Sequence, residues 1–581
     1  MGGLAFLVAV ALVPCQVSAA GAKDPAKNKK KAARQAAGER AAAKVAEARA
    51  AKSRAEAPRL PSKNEELFGN THVTAAEIDR MIETELKARG IEPTPIIGDE
   101  AFLRRVTLDL TGALPKPDAV TAFLADKDPE KRGKTIDRLI ASPEFASNFA
   151  RLWRDVIVYH AQDQRVRLGQ AALEEWLASQ VEKNRRWDEI VGDILTATGP
   201  VQENGATFLF LAQMAQPVEM AGETARIFMG IQIQCAQCHD HPSDQWKREQ
   251  FHQLAAFFQR ARLRRVPGDG ARTFEIFSAD GRGPRAGGGA GMNRGPEYRM
   301  PDKEDPTQPG TLMHPQFLGE SRPLGEGLTD VERRTALATY VTNPKNEWFA
   351  KAFVNRVWFE MMGQGFYEPV DDLGPNKTVH FGLVLNRMAA SFRSGRYDIK
   401  GLYRTVANTE AYQREIKPRD PASNQPTFAS ACPTQLRADQ VFDALVAAIG
   451  FPTAERGNNR PMRGIPQGGR ALFSLLFGFD PSTPPDDVQG TVQQALFLMN
   501  NPRIVTLIST RPTTALGEIY WDSADDRAAL NKLYLRVLAR SPRETELDVC
   551  RGYLKEATDK EEAFEDILWC LINTAEFQTK R

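Results

Sequence analysis

A Gly/Arg-rich run, Gly281-Arg-Gly-Pro-Arg-Ala-Gly-Gly-Gly-Ala-Gly291, divides this chain and limits where its cores can form. Such a segment has too little apolar surface to offset the entropy lost on ordering it. The change in composition extends over residues 261–327, where only Thr273-Phe-Glu-Ile-Phe277 has the character of a strand. We read this stretch as an inserted flap and linker between two folded units, residues 74–260 and 328–581. The 42% hydrophobic content supplies enough apolar surface for cores of that size.

Both flanks carry helical periodicity. Thr74-Ala-Ala-Glu77 is a capping box that opens a stripe of Ile78, Met81, Ile82 and Leu86, ended by Gly90. Ser142-Pro143 reads as a cap with Pro in the first turn, followed by the core-facing stripe Phe145, Phe149, Leu152, Trp153 and Val156. Beyond the linker, Trp348, Phe349, Ala352, Phe353, Val357, Trp358 and Met361 form a wide apolar face closed by Gly363. Amphipathic segments continue at 438–449, 531–539 and 561–574. The expected fold class is mainly α: two helical domains joined by a Gly/Arg-rich linker, with a few short strands. Arg104, Arg105 and Asp109 predict an internal ion pair that fixes helix packing. Asp371-Asp372 fall in a turn before Gly374-Pro375, where turn chemistry accounts for Asp and a bound cation is the alternative.

The N-terminus points to export. Leu4–Val13 is an apolar run followed by Val17-Ser18-Ala19-Ala20, which reads as a signal peptide over residues 1–20. It is too short to span a bilayer, so no transmembrane helix is expected after cleavage. An Ala/Lys/Arg-rich stalk follows to residue 73; residues 21–60 carry a net charge of +8, leaving about −6 for residues 61–581. A mildly acidic folded part argues against nucleic acid as a partner. Cleavage leaves five cysteines with one close pair in the sequence, which is not a disulfide scaffold.

That close pair lies in Ile231-Gln-Ile-Gln-Cys235-Ala-Gln-Cys238-His239-Asp240-His241-Pro242. Cys-x-x-Cys-His is the attachment pattern of a c-type haem: Cys235 and Cys238 add to the vinyl groups and His239 is the proximal ligand. The sixth ligand would come from Met214, Met220, Met229 or His252, the last read as half exposed, or be absent. Phe228, Ile231, Phe257 and Phe258 are candidates for an apolar slot. Three other readings stand beside this one. Zinc could bind Cys235, Cys238 and one or both of His239 and His241. The two cysteines could form a local disulfide, or stay reduced as part of a structural cluster. The motif sits between a helix ending at Gly230 and another starting at Ser243.

Several longer motifs resemble those of a family of secreted proteins from planctomycetes and related bacteria, which pairs a cytochrome-c-like domain (PSCyt type) with a companion domain of unknown function (PSD type). The first domain's pattern is met by Phe102-Leu-Arg-Arg-Val-Thr-Leu-Asp-Leu-Thr-Gly-Ala-Leu-Pro115, by Ser142-Pro-Glu-Phe145 and Trp153. It is met again by Cys235–Pro242 with Trp246 and by Ala255-Ala-Phe-Phe258. The second's is met by Asn355-Arg-Val-Trp358, Gly363-Gln-Gly365, Pro369-Val-Asp-Asp372, Tyr412-Gln-Arg414, Leu533-Tyr-Leu-Arg536 with Arg540-Ser-Pro542, and Asn573-Thr-Ala-Glu-Phe577. The likeness runs from about residue 75 to 578. It departs at Ser243, where the family has an aromatic, and at residues 374–390. The resemblance implies an exported protein of the periplasm or cell envelope and cytochrome-like chemistry at the cysteines.

Two functions are therefore expected to compete. One is electron transfer through a covalent haem, with a redox partner. The other is an envelope interaction protein, handling a polymer, whose Cys/His cluster is a zinc site or disulfide staple. A metal-dependent enzyme is a third, without a motif of its own: Gly-x-Ser-x-Gly, Walker-type loops and His-Glu-x-x-His do not occur.

Overall fold

The structure is a computed structural model that describes residues 72–580 apart from 162, 267–272, 281–296, 306, 309, 420–424 and 452–468. The expected signal peptide, nearly all of the stalk and the Gly281–Gly291 run lie outside the described residues. The described residues are 59% helix and 5% strand, so the mainly α class holds and the sheets are small accessories. Among the described residues, no helix is long and apolar enough to cross a membrane.

The anticipated caps are in place. Thr74 Oγ1 accepts from the Glu77 amide at the start of the Ala75–Arg89 helix, which Gly90 closes in the left-handed region (φ 66°). Ser142 Oγ accepts from the Phe145 amide, and Pro143 begins the Pro143–Val158 helix. This helix buries Phe149 and Trp153, so the cap orients a main core element. Ser142→Ala is expected to cost about 1 kcal/mol of stability in urea unfolding.

The apolar interior does not divide at the linker. One cluster draws on residues from Val73 to Ala431 together with Ala539, and a second on residues between Leu436 and Phe577 together with Leu108 and Leu114. An aromatic stack shows why. Trp153 and Trp187, from the first half, pack at 4.4 Å, and both meet Phe353 from the second, at 5.7 and 4.7 Å. Phe353 in turn stacks on Phe392 at 5.0 Å. The wide apolar face of the Glu347–Met362 helix is wide because it is packed on several sides.

Within 261–327, Ala261, Ile276, Tyr298 and Met313 are buried, so parts of this stretch are tied into the core. Strand β1 (Gly199–Pro200) pairs with β3 (Phe274–Ser278), which pairs with β2 (Ala261–Arg265), all antiparallel. β4 (Arg299–Met300) pairs with β5 (Thr311–Leu312), and the adjoining Tyr298 and Met313 are buried. Finally β6 (Thr434–Gln435) pairs with β7 (Thr579–Lys580).

β7 carries Lys580 inward. Its Nζ lies 2.9 Å from Asp109 Oδ1 and 2.9 Å from Glu360 Oε1. Asp109 also accepts from Tyr412 Oη at 2.7 Å, while Arg105 Nε stands off at 3.8 Å. The expected Arg–Asp pair is present, but Lys580 and Tyr412 are the closer partners. Arg105 directs its guanidinium to the carbonyls of Arg414 and Met361, neutral acceptors that charge pairing in the sequence does not reveal.

Candidate functional site

The cysteine turn follows a change of helical pitch. The Pro217–Thr224 α-helix widens into a π-helical turn, Ala225–Met229, and stops at Gly230 with φ 66°. Such widened turns are frequent at functional sites. A Cβ on Gly230 would lie 2.8 Å from Leu373 Cδ1, so glycine is required by both backbone and neighbour. Ile231 and Ile233 then bury while Gln232 and Gln234 face solvent.

Gln234–Gln237 form a short 3₁₀ turn. Its Ala236 is fully buried and donates its amide to Ile233 O at 2.8 Å, which pins the turn from below. Cys235 and Cys238 project from it exposed and unbonded to each other. His239 is exposed, and its Nδ1 lies 2.7 Å from the Asp240 carbonyl, which makes Nδ1 the protonated nitrogen. Nε2 makes no hydrogen bond among the described residues.

Other residues hold this turn rather than join it. His241 Nε2 donates to Gln232 O at 3.2 Å, and its Nδ1 accepts from the Ser243 amide at 3.3 Å. Asp240 Oδ1 accepts from the Arg248 amide at 3.0 Å and Oδ2 pairs with Lys247 at 3.0 Å. These contacts hold its carboxyl below the usual range, the Arg248 amide contributing most. The helix after the motif therefore begins at Arg248 instead of Ser243, because residues 243–247 fold back so that His241 N donates to Trp246 O at 2.8 Å.

His252 differs most from expectation. It is 1% exposed rather than half exposed, with Nε2 donating to Gln237 O at 3.0 Å and Nδ1 facing Tyr298 Oη at 2.8 Å. Burial pushes its pKa down to about 4. With both nitrogens used, it is a clamp on the turn and not an axial ligand. Met220 and Met229 are buried in the core and Met214 is half-buried. Phe228, Ile231, Phe257 and Phe258 are likewise sealed in packing, Phe228 against Trp187 at 6.2 Å and Phe258 against Phe210 at 6.1 Å. They are core residues, not slot walls. The surface beside the thiols is polar: Gln232, Gln234, Asp240 and Lys247.

The zinc set is not assembled. Among the described residues, no three His, Cys, Asp or Glu side chains converge as ligands. His241 has both ring nitrogens engaged, with Gln232 O and the Ser243 amide.

Motif spacing gave no hint that the loop after Pro369 lies against this segment. Asp371 is buried and accepts from Arg226 Nη1 at 2.9 Å and Gln232 Nε2 at 3.0 Å. Leu373 N donates to Gly230 O at 2.6 Å, and Lys377 Nζ reaches Asp372 at 2.8 Å and Ser243 at 3.3 Å. Burial would raise the Asp371 pKa, but Arg356 and Arg226 hold it below the ordinary value. Asp371 is thus an ion-pair residue; turn chemistry alone does not describe it, and its arginines fill the place of a cation.

Comparison with known families places these two contacting segments in different domains. The PSCyt2 profile, a protein of unknown function (DUF1549), matches residues 77–263, which include the cysteine turn. The PSD1 profile, a protein of unknown function (DUF1553), matches residues 333–469, which include Asp371. No curated protein and no solved structure matches the chain.

Proposed function

Belonging to the family that joins a PSCyt2 domain to a PSD1 domain, the chain has its paired thiols inside the PSCyt2 segment, and we propose that it is an exported redox protein of the cell envelope carrying a c-type haem there. The observation that carries this reading is the turn itself. Two exposed thiols stand on one short turn, and the imidazole that follows keeps Nε2 available while Nδ1 is satisfied. That donor set fits the group: Cys235 and Cys238 would hold it through thioethers and His239 Nε2 would bind the iron. Bound haem would supply reversible one-electron transfer to a redox partner.

The chain's own residues make the turn rigid. Ala236 anchors it, His252 holds the Gln237 carbonyl, and Asp371 holds Gln232, from which His241 is braced. A site fixed from both domains keeps its donors in register. The family's short name also points to a cytochrome. A polar surround favours contact with a partner at the protein surface over a sealed chamber.

The test is production in a host that exports the protein and matures c-type cytochromes, followed by absorption spectroscopy and metal analysis. A Soret band that survives denaturation and disappears in Cys235→Ala and Cys238→Ala is expected. A colourless product with both thiols free would overturn the haem reading and leave a dithiol couple. Stoichiometric zinc would make the cluster a metal staple of an interaction protein.

A further inference from the structure

The fold brings together a second pair of cysteines that the sequence keeps apart. Helices Glu544–Glu556 and Lys560–Ile572 are joined by three residues, Ala557 to Asp559, so they form an antiparallel hairpin. Tyr553 Oη donates to the Asp566 carboxylate, which fixes the register between them. Cys550 lies three residues before Tyr553 on the same face, and Cys570 lies four after Asp566 on the same face. Moving back along one antiparallel helix is moving forward along the other. The two cysteines therefore come opposite each other, one turn beyond the Tyr553–Asp566 contact.

Their surroundings suit reaction with each other. Cys570 is exposed, and Cys550 is half-buried with Sγ 3.8 Å from Tyr534 Oη. Packed helices have axes about 8–10 Å apart, with Cα atoms on cylinders of about 2.3 Å radius. Cα atoms that face each other directly are then roughly 3.4–5.4 Å apart and those towards the rim farther, a range that overlaps the roughly 4.4–6.8 Å span of a disulfide. We propose that Cys550 and Cys570 are a disulfide site, closed by oxidation to staple the C-terminal helical hairpin. Each thiol gives up its proton as the sulfur–sulfur bond forms. A disulfide oxidant takes the two electrons and both protons and leaves as two thiols.

This pairing also accounts for the cysteines. Cys235 and Cys238 share the 3₁₀ turn, Cys550 and Cys570 share the hairpin, and Cys432 is buried. The odd count that argued against a disulfide scaffold becomes two pairs and one sealed thiol. Burial raises both hairpin thiols above their ordinary pKa, so closure should quicken as pH rises.

The experiment uses the full chain carrying Cys235→Ala and Cys238→Ala, so that the other pair cannot exchange. After incubation with glutathione disulfide, free thiols are alkylated and the protein is mapped without reduction. A peptide pair linked through Cys550 and Cys570, lighter by two hydrogens, is expected, with a rise in the thermal transition that dithiothreitol reverses. Cys550→Ala and Cys570→Ala should each abolish both effects. Recovery of both residues alkylated, or of either linked to glutathione or to Cys432, would overturn the proposal.

Discussion

Replacing Arg226 by Met is expected to destabilise the protein by about 3–5 kcal/mol at neutral pH, because it strands two buried carboxylates. Arg226 Nη2 donates to Glu223 Oε2 at 2.7 Å and to Val156 O at 2.8 Å, Nε to Glu223 Oε1 at 3.0 Å, and Nη1 to Asp371 Oδ2 at 2.9 Å. Burial alone would lower its pKa, but Glu223 and Asp371 outweigh that and raise it. A methionine of similar length fills the space without the charge. Asp371 then keeps the Gln232 amide at 3.0 Å and, as a cation, Arg356 at 3.8 Å, and Glu223 loses its bidentate partner.

The pH dependence identifies the cause. In the wild type, the Asp371 pKa is depressed on folding, so its contribution is present above the unfolded value of 3.8 and is lost as pH falls through the lower folded value. In Arg226→Met, burial without Arg226 should raise the folded pKa of Asp371. Its penalty is then full at neutral pH and is relieved as acid protonates it. The gap between the two proteins should narrow towards pH 4, as read by urea unfolding at each pH. A gap that stays constant with pH would assign the loss to packing instead. Because Asp371 also holds Gln232, the variant should expose the cysteine turn to faster alkylation at Cys235 and Cys238.

The contrast between Thr74 and Asp371 shows what the sequence made legible. A cap is written within a few residues: Thr74 meets Glu77 and Ser142 meets Phe145, so helix starts could be read locally. The cysteine turn was legible for the same reason, since its donors are neighbours in the chain. What holds it was not. Asp371 reaches Gln232 and Arg226 across the linker, and Phe353 meets Trp153 and Trp187 likewise. The Gly/Arg-rich run signalled a break in the chain, and nothing in its composition says that the cores on either side merge. Phe257 and Phe258 read as slot or core equally well, because burial against protein and burial against a cofactor demand the same residue. Lys580 had no sequence signal at all: a cation in a short strand gains its meaning only from Asp109 and Glu360.

His252 should make the protein lose about 3 kcal/mol of stability between pH 6.5 and pH 4, where the folded ring resists a proton that the unfolded ring accepts. The imidazole is buried and neutral, with its proton on Nε2 for the Gln237 carbonyl and Nδ1 turned to Tyr298 Oη. A second proton must go to Nδ1, which forces the phenol to reverse its hydrogen bond and places a charge near Arg248. Since the folded pKa is lowered, stability is full above the unfolded value of 6.5 and falls with pH until about 4, below which no further loss arises from this group. His252→Gln keeps a donor and an acceptor on the same side of the helix but does not titrate. Its stability profile should therefore be flatter than the wild type's across that window, by urea unfolding at matched pH. Parallel profiles would show that His252 is not the acid-sensitive group. The consequence reaches the site, because the carbonyl that His252 holds belongs to Gln237, between the two cysteines. Acid that charges His252 loosens the clamp on that carbonyl, so alkylation of Cys235 and Cys238, corrected for thiolate content, should become less protected towards pH 4 in the wild type and change little in His252→Gln.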